Sequence, residues 1–391
     1  MRKLFLAAAA TVVLAVPAFG ADVRGVTDKE IVIGTSTDLS GVTVEWGVNN
    51  TNAIRMAFEE KNAKGGINGR AIKYIVEDSQ YTVPRHVQAV NKLINLDKVF
   101  LLIANGGTPM NNATLPTMIE KGVPNVFPLT SARSMYSPLN KYKFGLASSY
   151  YDQMRSGIKY FVDNKGKKAV CAQSQDTDFG RDVMDGVREQ LKSMEGKALL
   201  VAEALNKPTD TDFTASVAKL HDANCDLIVL GGIVRDTLQF VSAVRKTGWN
   251  VDMLGQAAIY DSAVAEAAGG TTEGIYAMAP VLFVAADDPK PEVQKFAADY
   301  KAKYGHAPNF AAQIGYTAAQ VMMAGLEKAG KDLTSDSFIT GLEGVKDYQD
   351  IFGSPKMTFA ADKHQGSNES FLTQVQKGKW VPLLDRKPLG Y

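Results

Sequence analysis

From Ile31 onward the chain alternates short β-branched apolar runs with longer segments whose apolar residues recur at the helical period. Strands are predicted over residues 31–36, 72–77, 99–103, 123–127, 169–173, 199–204, 227–230, 253–255 and 274–278, with helical stretches between nearly every pair. Parallel neighbours can be joined only through a crossover, so the alternation commits the chain to βα units around parallel sheets. The helix over 52–62 is typical: Ala53, Ile54, Ala57 and Phe58 share one face and Gly65-Gly66 stops it. One series of units ends near Ala147 and another begins near Tyr150. Single cores stop growing near ~250–300 residues, so 391 residues imply two lobes.

Beyond Met278 the pattern changes. Helices are predicted over 291–304 and 311–328, then short strands over 357–359, 371–376 and 380–382 that read as a small antiparallel meander. Two α/β lobes of this kind hold a ligand in the crevice between them, at the carboxyl ends of strands.

Residues 1–20 read as a secretory signal peptide: Arg2 and Lys3, an apolar stretch over 4–16, and Ala18-Phe19-Gly20 before a cut at Ala21. The stretch is too short to span a bilayer, and neither Cys171 nor Cys225 lies where a lipid anchor would attach. The expectation is a free periplasmic protein. An oxidising compartment allows a Cys171–Cys225 bridge, but both residues adjoin apolar strands, and buried free thiols are expected. Lys+Arg 43 against Asp+Glu 42 gives a formal net charge of +1. Without a basic run either, nucleic acid and anionic membrane surfaces are poor partners.

Catalytic and cofactor signatures are sparse. His86, His221, His306 and His364 are scattered, without metal-ligand spacing, and are expected to be solvated or to cap; no metal or cofactor is expected. No glycine-rich phosphate loop follows a strand. Ser156-Gly157-Ile158-Lys159 with Lys246-Thr247-Gly248 echoes penicillin-recognising serine enzymes, making an exported serine hydrolase the remote alternative. The required Ser-Asp-Asn element is missing, and Lys246-Thr247-Gly248 ends a helix instead of forming a strand. A repressor-like core would share the two lobes, but the chain has a leader and no helix-turn-helix segment.

Thr108-Pro109 precedes a helical stretch reaching Glu120, which sets Thr108 as N-cap and Pro109 as first helical residue. A helix N-terminus offers unpaired N–H groups and partial positive charge, so a carboxylate can bind there without arginine. Ser131, just beyond the strand ending at Phe127, adds a hydroxyl and an N–H at the same edge.

Ile31-Val32-Ile33-Gly34, Asp38-Leu39-Ser40-Gly41, Trp46-Gly47 and the helix end Asn62-Ala63-Lys64-Gly65-Gly66-Ile67-Asn68-Gly69 closely resemble the periplasmic leucine/isoleucine/valine-binding proteins of ABC importers. The resemblance continues through Gly106-Gly107-Thr108, Gly122-Val123-Pro124, Pro128-Leu129-Thr130-Ser131, Asp178-Phe179-Gly180 and Tyr316-Thr317-Ala318-Ala319. It implies an α/β fold of two doubly wound parallel-sheet lobes joined by three crossover strands, closing on a small ligand by hinge motion. Lobe 1 would comprise 21–147 plus 282–355, and lobe 2 148–281 plus 356–391. The protein would be a monomer that delivers its ligand to an importer permease and is not an enzyme.

The resemblance also implies a site. Thr108, Leu129 and Ser131 match the stretch that holds the ligand carboxylate, Trp46 and Phe179 match aromatic walls, and Tyr150, Tyr151 and Phe310 are further candidates. Two positions depart from the family: Ile233 stands where an aromatic is found, and Gln256-Ala257 where an acidic residue meets the ligand's α-ammonium. Arg133 and Arg235 lie in the same loops. A buried unpaired ammonium is costly, so the expected ligand is a small organic acid, aromatic acids included. An amino acid is the alternative, with Asp178, Asp236 or Asp261 supplying the charge.

Overall fold

The structure is a computed structural model and describes residues 23–284 and 288–391. The predicted signal peptide lies outside the described residues. Among them, no helix is long and apolar enough to cross a membrane.

The first segment alternates β1 (Glu30–Thr37), α1 (Val44–Ala63), β2 (Ala71–Asp78), α2 (Val83–Asn95), β3 (Leu101–Ile103), α3 (Thr108–Glu120), β4 (Asn125–Val126) and β5 (Lys143–Phe144). These strands form one parallel sheet in the order β2-β1-β3-β4-β5. Side chains alternate across a strand, and each face meets its own layer. Ile31, Ile33, Leu101 and Ile103 pack on one side with α1, while Val32 and Leu102 turn to the other, with Val90 and Leu93 of α2.

The second segment comprises α4 (Tyr150–Lys165), β6 (Ala169–Gln175), α5 (Asp178–Ser193), β7 (Leu199–Asn206), α6 (Thr214–Asp222) and β8 (Leu227–Gly231). It continues with α7 (Val234–Lys246), β9 (Asp252–Gly255), α8 (Ser262–Ala265) and β10 (Tyr276–Ala279). Its parallel strands run β7-β6-β8-β9-β10, the same order as in the first sheet. Val170, Ala172 and Val229 face α4 and α5; Cys171, Ile228 and Leu230 face α6 and α7.

The chain then returns to the first lobe. From α9 (Pro291–Tyr304), α10 (Phe310–Ala329) and α11 (Ser335–Glu343), Phe296, Tyr300, Met322 and Phe338 join the core of α1 and β1. It ends on the second sheet, where β11 (Phe371–Gln376) pairs antiparallel with β10 and with β12 (Lys379–Pro382). Three crossings therefore join two doubly wound lobes: after β5, after β10 and before β11. The first and third run side by side, with Gly366 N donating to the Gly145 carbonyl.

The tail differs from expectation. Met357 forms only an isolated bridge with Tyr348, and Met357 and Phe359 pack in the first core, where Phe359 meets Phe127 and Phe144. The meander is thus a two-stranded hairpin annexed to the second sheet. The cysteines differ too: Cys171 and Cys225 form a disulfide. β6 pairs with β8 in a register that sets Cys171 opposite Ile228, and the segment entering β8 carries Cys225 to 5.8 Å from Cys171 between Cα atoms.

Candidate functional site

In an open α/β sheet the crevice opens where strand order reverses, here between β1 and β3 in one lobe and between β6 and β8 in the other. Loops from both points enclose a cavity of about 320 Å³.

The two lobes build the aromatic walls in the same way. In the first turn of α1, a Cβ on Gly47 would lie 1.8 Å from the Asp38 carbonyl oxygen; in α5, one on Gly180 would lie 1.9 Å from that of Gln175. Only glycine lets each helix sit so close to the end of its strand. The preceding residues, Trp46 and Phe179, are thereby carried to the cavity. The Asp38 carboxylate shapes the loop before α1, accepting from Gly41 N, Thr43 N (2.7 Å) and Thr43 Oγ1 (2.8 Å). Phe310 meets Trp46 edge-on at 5.9 Å and Tyr150 meets Phe179 at 5.0 Å.

The first lobe supplies the polar end. The N-cap of α3 is Gly107, at φ 82°, and Thr108 is the first helical residue, so the helix begins one residue earlier than expected. Pro109 carries no N–H, so Thr108 and Met110 bear the first-turn donors that lack intrahelical acceptors. The Thr108 hydroxyl is 2.7 Å from that of Thr130. Leu129, Thr130 and Ser131 line the same wall.

A buried polar network holds this edge. Asn105 Oδ1 accepts from Ser36 N at 2.9 Å, and Asn111 Nδ2 donates to the carbonyls of Asn105 and Gly107 at 2.9 and 2.8 Å. Asn125 Nδ2 donates to Asn111 Oδ1 at 3.1 Å. His86 lies beneath, 0% exposed, with Nδ1 2.9 Å from Ser36 Oγ, and burial pushes its pKa down to about 4. Neither His86 nor the buried His364 is solvated or caps a helix, the two roles expected of the histidines.

The second lobe supplies an apolar cover and one acid. Ile233 and Ala257 line the cavity, with Ala258 and Leu238 beside them. Gln256 does not: fully buried, it donates through Nε2 to the Gly232 carbonyl at 3.1 Å and accepts from Ala258 N at 2.6 Å, shaping the turn that presents Ala257. The acid is Asp261, 5% exposed on the cavity wall. Oδ1 accepts from Ala263 N at 2.8 Å, whereas Oδ2 is buried without a partner and faces the equally unpartnered Trp46 Nε1. Burial pushes the Asp261 carboxyl above the usual carboxylate range, and the nearby Glu45 adds to the shift.

The other candidates separate. Arg235 lines the cavity, its guanidinium paired with Asp236 at 2.9 Å; Arg133 lies outside it, over the Tyr151 ring at 4.2 Å. Asp178 accepts from Asn112 and pairs with Arg181, and Asp236 is occupied by Arg235 and Gln175. Tyr81 and Tyr136, missed in the sequence, also line the cavity. Tyr81 arrives through two consecutive left-handed residues, Gln80 and Tyr81 at φ 49° and 51°, which no residue pattern announces. The hydrolase pair is not assembled: Ser156 Oγ donates to the Asp152 carbonyl inside α4, while Lys159 pairs with Asp163 at the surface.

A sequence profile described as Periplasmic binding protein matches residues 30–379. The leucine-, isoleucine-, valine-, threonine-, and alanine-binding protein of Pseudomonas aeruginosa is 23% identical over 303 residues, covering 77% of this chain and 79% of that one. Among solved structures, a branched chain amino acid ABC transporter from Thermus thermophilus with bound valine shares the fold at TM-score 0.84 and 17% identity, over 94% of this chain and 98% of that one. A fatty acid ABC transporter substrate-binding protein from Thermomonospora curvata does so at TM-score 0.83 and 24% identity, over 96% of each chain.

Proposed function

The chain belongs to the periplasmic binding protein family, and from that membership we propose that it is the extracytoplasmic receptor of a branched-chain amino-acid type ABC importer, binding an α-amino acid with an apolar side chain. It binds its cargo without transforming it, and hinge closure presents the loaded form to the permease. The α-carboxylate sits at the N-terminus of α3 among Thr108, Ser131 and backbone N–H groups. The side chain lies between Trp46, Phe179 and Ile233.

The observation that carries this reading is Asp261, an acid on the cavity wall whose buried Oδ2 has no hydrogen-bond partner. A ligand ammonium satisfies it and restores the ordinary affinity of the carboxyl for protons. The departure at Gln256-Ala257 therefore moves the anion a few residues along the chain. A small organic acid without the amino group is the weaker reading, because it leaves that oxygen unsatisfied.

Thermal shift and calorimetry with leucine, valine and the 2-oxo acid of leucine test it. A ligand at 100 times its Kd stabilises by ~2.7 kcal/mol. The expected result is a large shift with the amino acids, and a roughly hundredfold loss of leucine affinity in Asp261→Asn. A shift with the 2-oxo acid and none with amino acids overturns it.

A further inference from the structure

Outside the cavity, α3 of the first lobe meets α5 of the second along a seam. Asp178, Asp182 and Asp185 follow one another at spacings of four and three, and so share one face of α5. Across from them, Asn112 Nδ2 donates to Asp178 Oδ2 at 2.9 Å. Arg133 N donates to Asp182 Oδ2 at 3.1 Å, and Arg133 Nη2 meets Asp185 Oδ2 at 3.0 Å. Leu115, Ala132 and Met135 of the first lobe complete the seam by packing into the core of the second.

Asp182 is only 9% exposed, covered by α4 of its own lobe and, from the opposite lobe, by Arg133, whose N–H donates to it, and Tyr136. Its compensation is incomplete. Arg133 Nε stands 3.8 Å away, while the same guanidinium approaches the more exposed Asp185 more closely. The other titratable groups facing Asp182 are Asp185, Asp152, Tyr136 and Tyr150, none of them a cation. One shared arginine thus stands against a desolvated carboxylate and two acidic neighbours. A buried charge gains from its partner only when the geometry is close and the remaining lone pairs are filled.

We infer that Asp182 is a brake on lobe closure: docking the first lobe on α5 strips water from a carboxylate that the seam does not fully compensate, so neutralising it tightens ligand binding. The inference rests on the reading of the chain as a two-lobed receptor and concerns a residue that does not touch the ligand. Burial pushes the Asp182 carboxyl up to about 6 in the closed seam. Opening removes the first-lobe part of that cover and lowers the carboxyl toward its ordinary value near 4. The closed form therefore holds the proton more tightly, closure takes up a proton between roughly pH 4 and 6, and affinity rises as pH falls through that window. A receptor must also let go of its cargo, and a penalty on the closed state favours release.

Asp182→Asn preserves shape and the acceptor for Arg133 N–H while removing the charge. Leucine affinity of this variant and the native protein, by calorimetry at pH 7.5 and pH 5, reads the brake directly. The expected result is roughly tenfold tighter binding by the variant at pH 7.5, with a gap that narrows at pH 5 as the native carboxyl takes its proton. Asp261 titrates in both proteins, so the difference between them isolates Asp182. Unchanged or weaker binding by the variant at pH 7.5 overturns the brake and makes the Arg133 contact an ordinary clasp. Small-angle scattering without ligand supplies a readout independent of leucine: Asp182→Asn is expected to be more compact than the native protein at pH 7.5, and equal radii of gyration overturn the inference. A failure to bind leucine thus counts against the proposed ligand, while scattering still decides the brake. Should Asp182→Asn not fold, Arg133→Gln gives the opposite sign: removing the one cation expands the ligand-free protein, and an unchanged radius refutes the idea.

Discussion

The two lobes share a strand order and an aromatic-glycine pair at the first helix of each crevice, yet their cleft faces are chemically unlike. The difference lies at the helix N-termini. α3 has no acidic residue in its first turn and a glycine N-cap, so its donors remain free for an anion. The corresponding α7 begins with Ile233 as N-cap and carries Asp236 in its first turn, buried against Gln175 and Arg235. Its positive end is already neutralised from within. On the proposed reading the same architecture gives one lobe that grips a charged head and one that covers an apolar body, with Asp261 and Arg235 the charged residues of that cover.

The sharpest break in the symmetry is covalent. Only the second lobe has a cross-link, Cys171–Cys225, with a sequence separation of 54. Closing a loop of that size removes unfolded-state freedom worth about 4 kcal/mol. The Cys171→Ala/Cys225→Ala variant should therefore lose about that much in denaturant unfolding, with the loss confined to probes in the second lobe. A uniform loss across both lobes would show that they unfold as one unit.

The matching vulnerability of the first lobe is acid. Neutral His86 lies under the α3 edge with a pKa pushed down to about 4 by burial, against about 6.5 when unfolded. Above pH 6.5 both states are neutral and the shift has no effect. Below it the unfolded chain takes up a proton that the native site refuses, so stability falls as pH drops from 6.5 to 4, by up to roughly 3 kcal/mol. His86→Gln should be less stable at neutral pH but should lose that part of the acid slope, measured as the difference in unfolding free energy at pH 7 and pH 4.5. An unaltered slope would place the acid sensitivity in the carboxylates.

These contrasts mark what the sequence could disclose. The parallel strands and the paired Trp46-Gly47 and Phe179-Gly180 were legible because each depends on local periodicity or a position after a strand end. The start of α1 at Val44 was not: Asn49, Asn50 and Thr51 depress helix propensity, and only the structure shows their side chains bonding to the Glu45, Ala311 and Gly47 carbonyls. The disulfide required knowing that β8, not β7, lies beside β6 on the inner side of the sheet, a fact of topology. Gln256 and Asp261 exchanged roles for a similar reason. A five-residue step through a 3-10 turn decides which side chain meets the cavity, and local spacing does not encode that rotation.

The smallest expected effect tests the division of labour itself. Ser131 belongs to the gripping lobe and Ile233 to the covering one, and both line the cavity. A hydroxyl donating to a charged group contributes about 1.5–3 kcal/mol, so Ser131→Ala should weaken every α-amino acid by roughly ten- to hundredfold, with little change in their ranking. Ile233→Ala removes part of the apolar wall, where a methylene is worth about 1–3 kcal/mol, so it should narrow the preference for leucine over alanine while alanine itself binds almost as before. Calorimetric titrations of both variants with leucine, valine and alanine separate the two patterns. If Ser131→Ala reordered the ligands and Ile233→Ala weakened all of them equally, the head of the ligand would face the second lobe, and the orientation assigned from the free donors of α3 would have to be reversed.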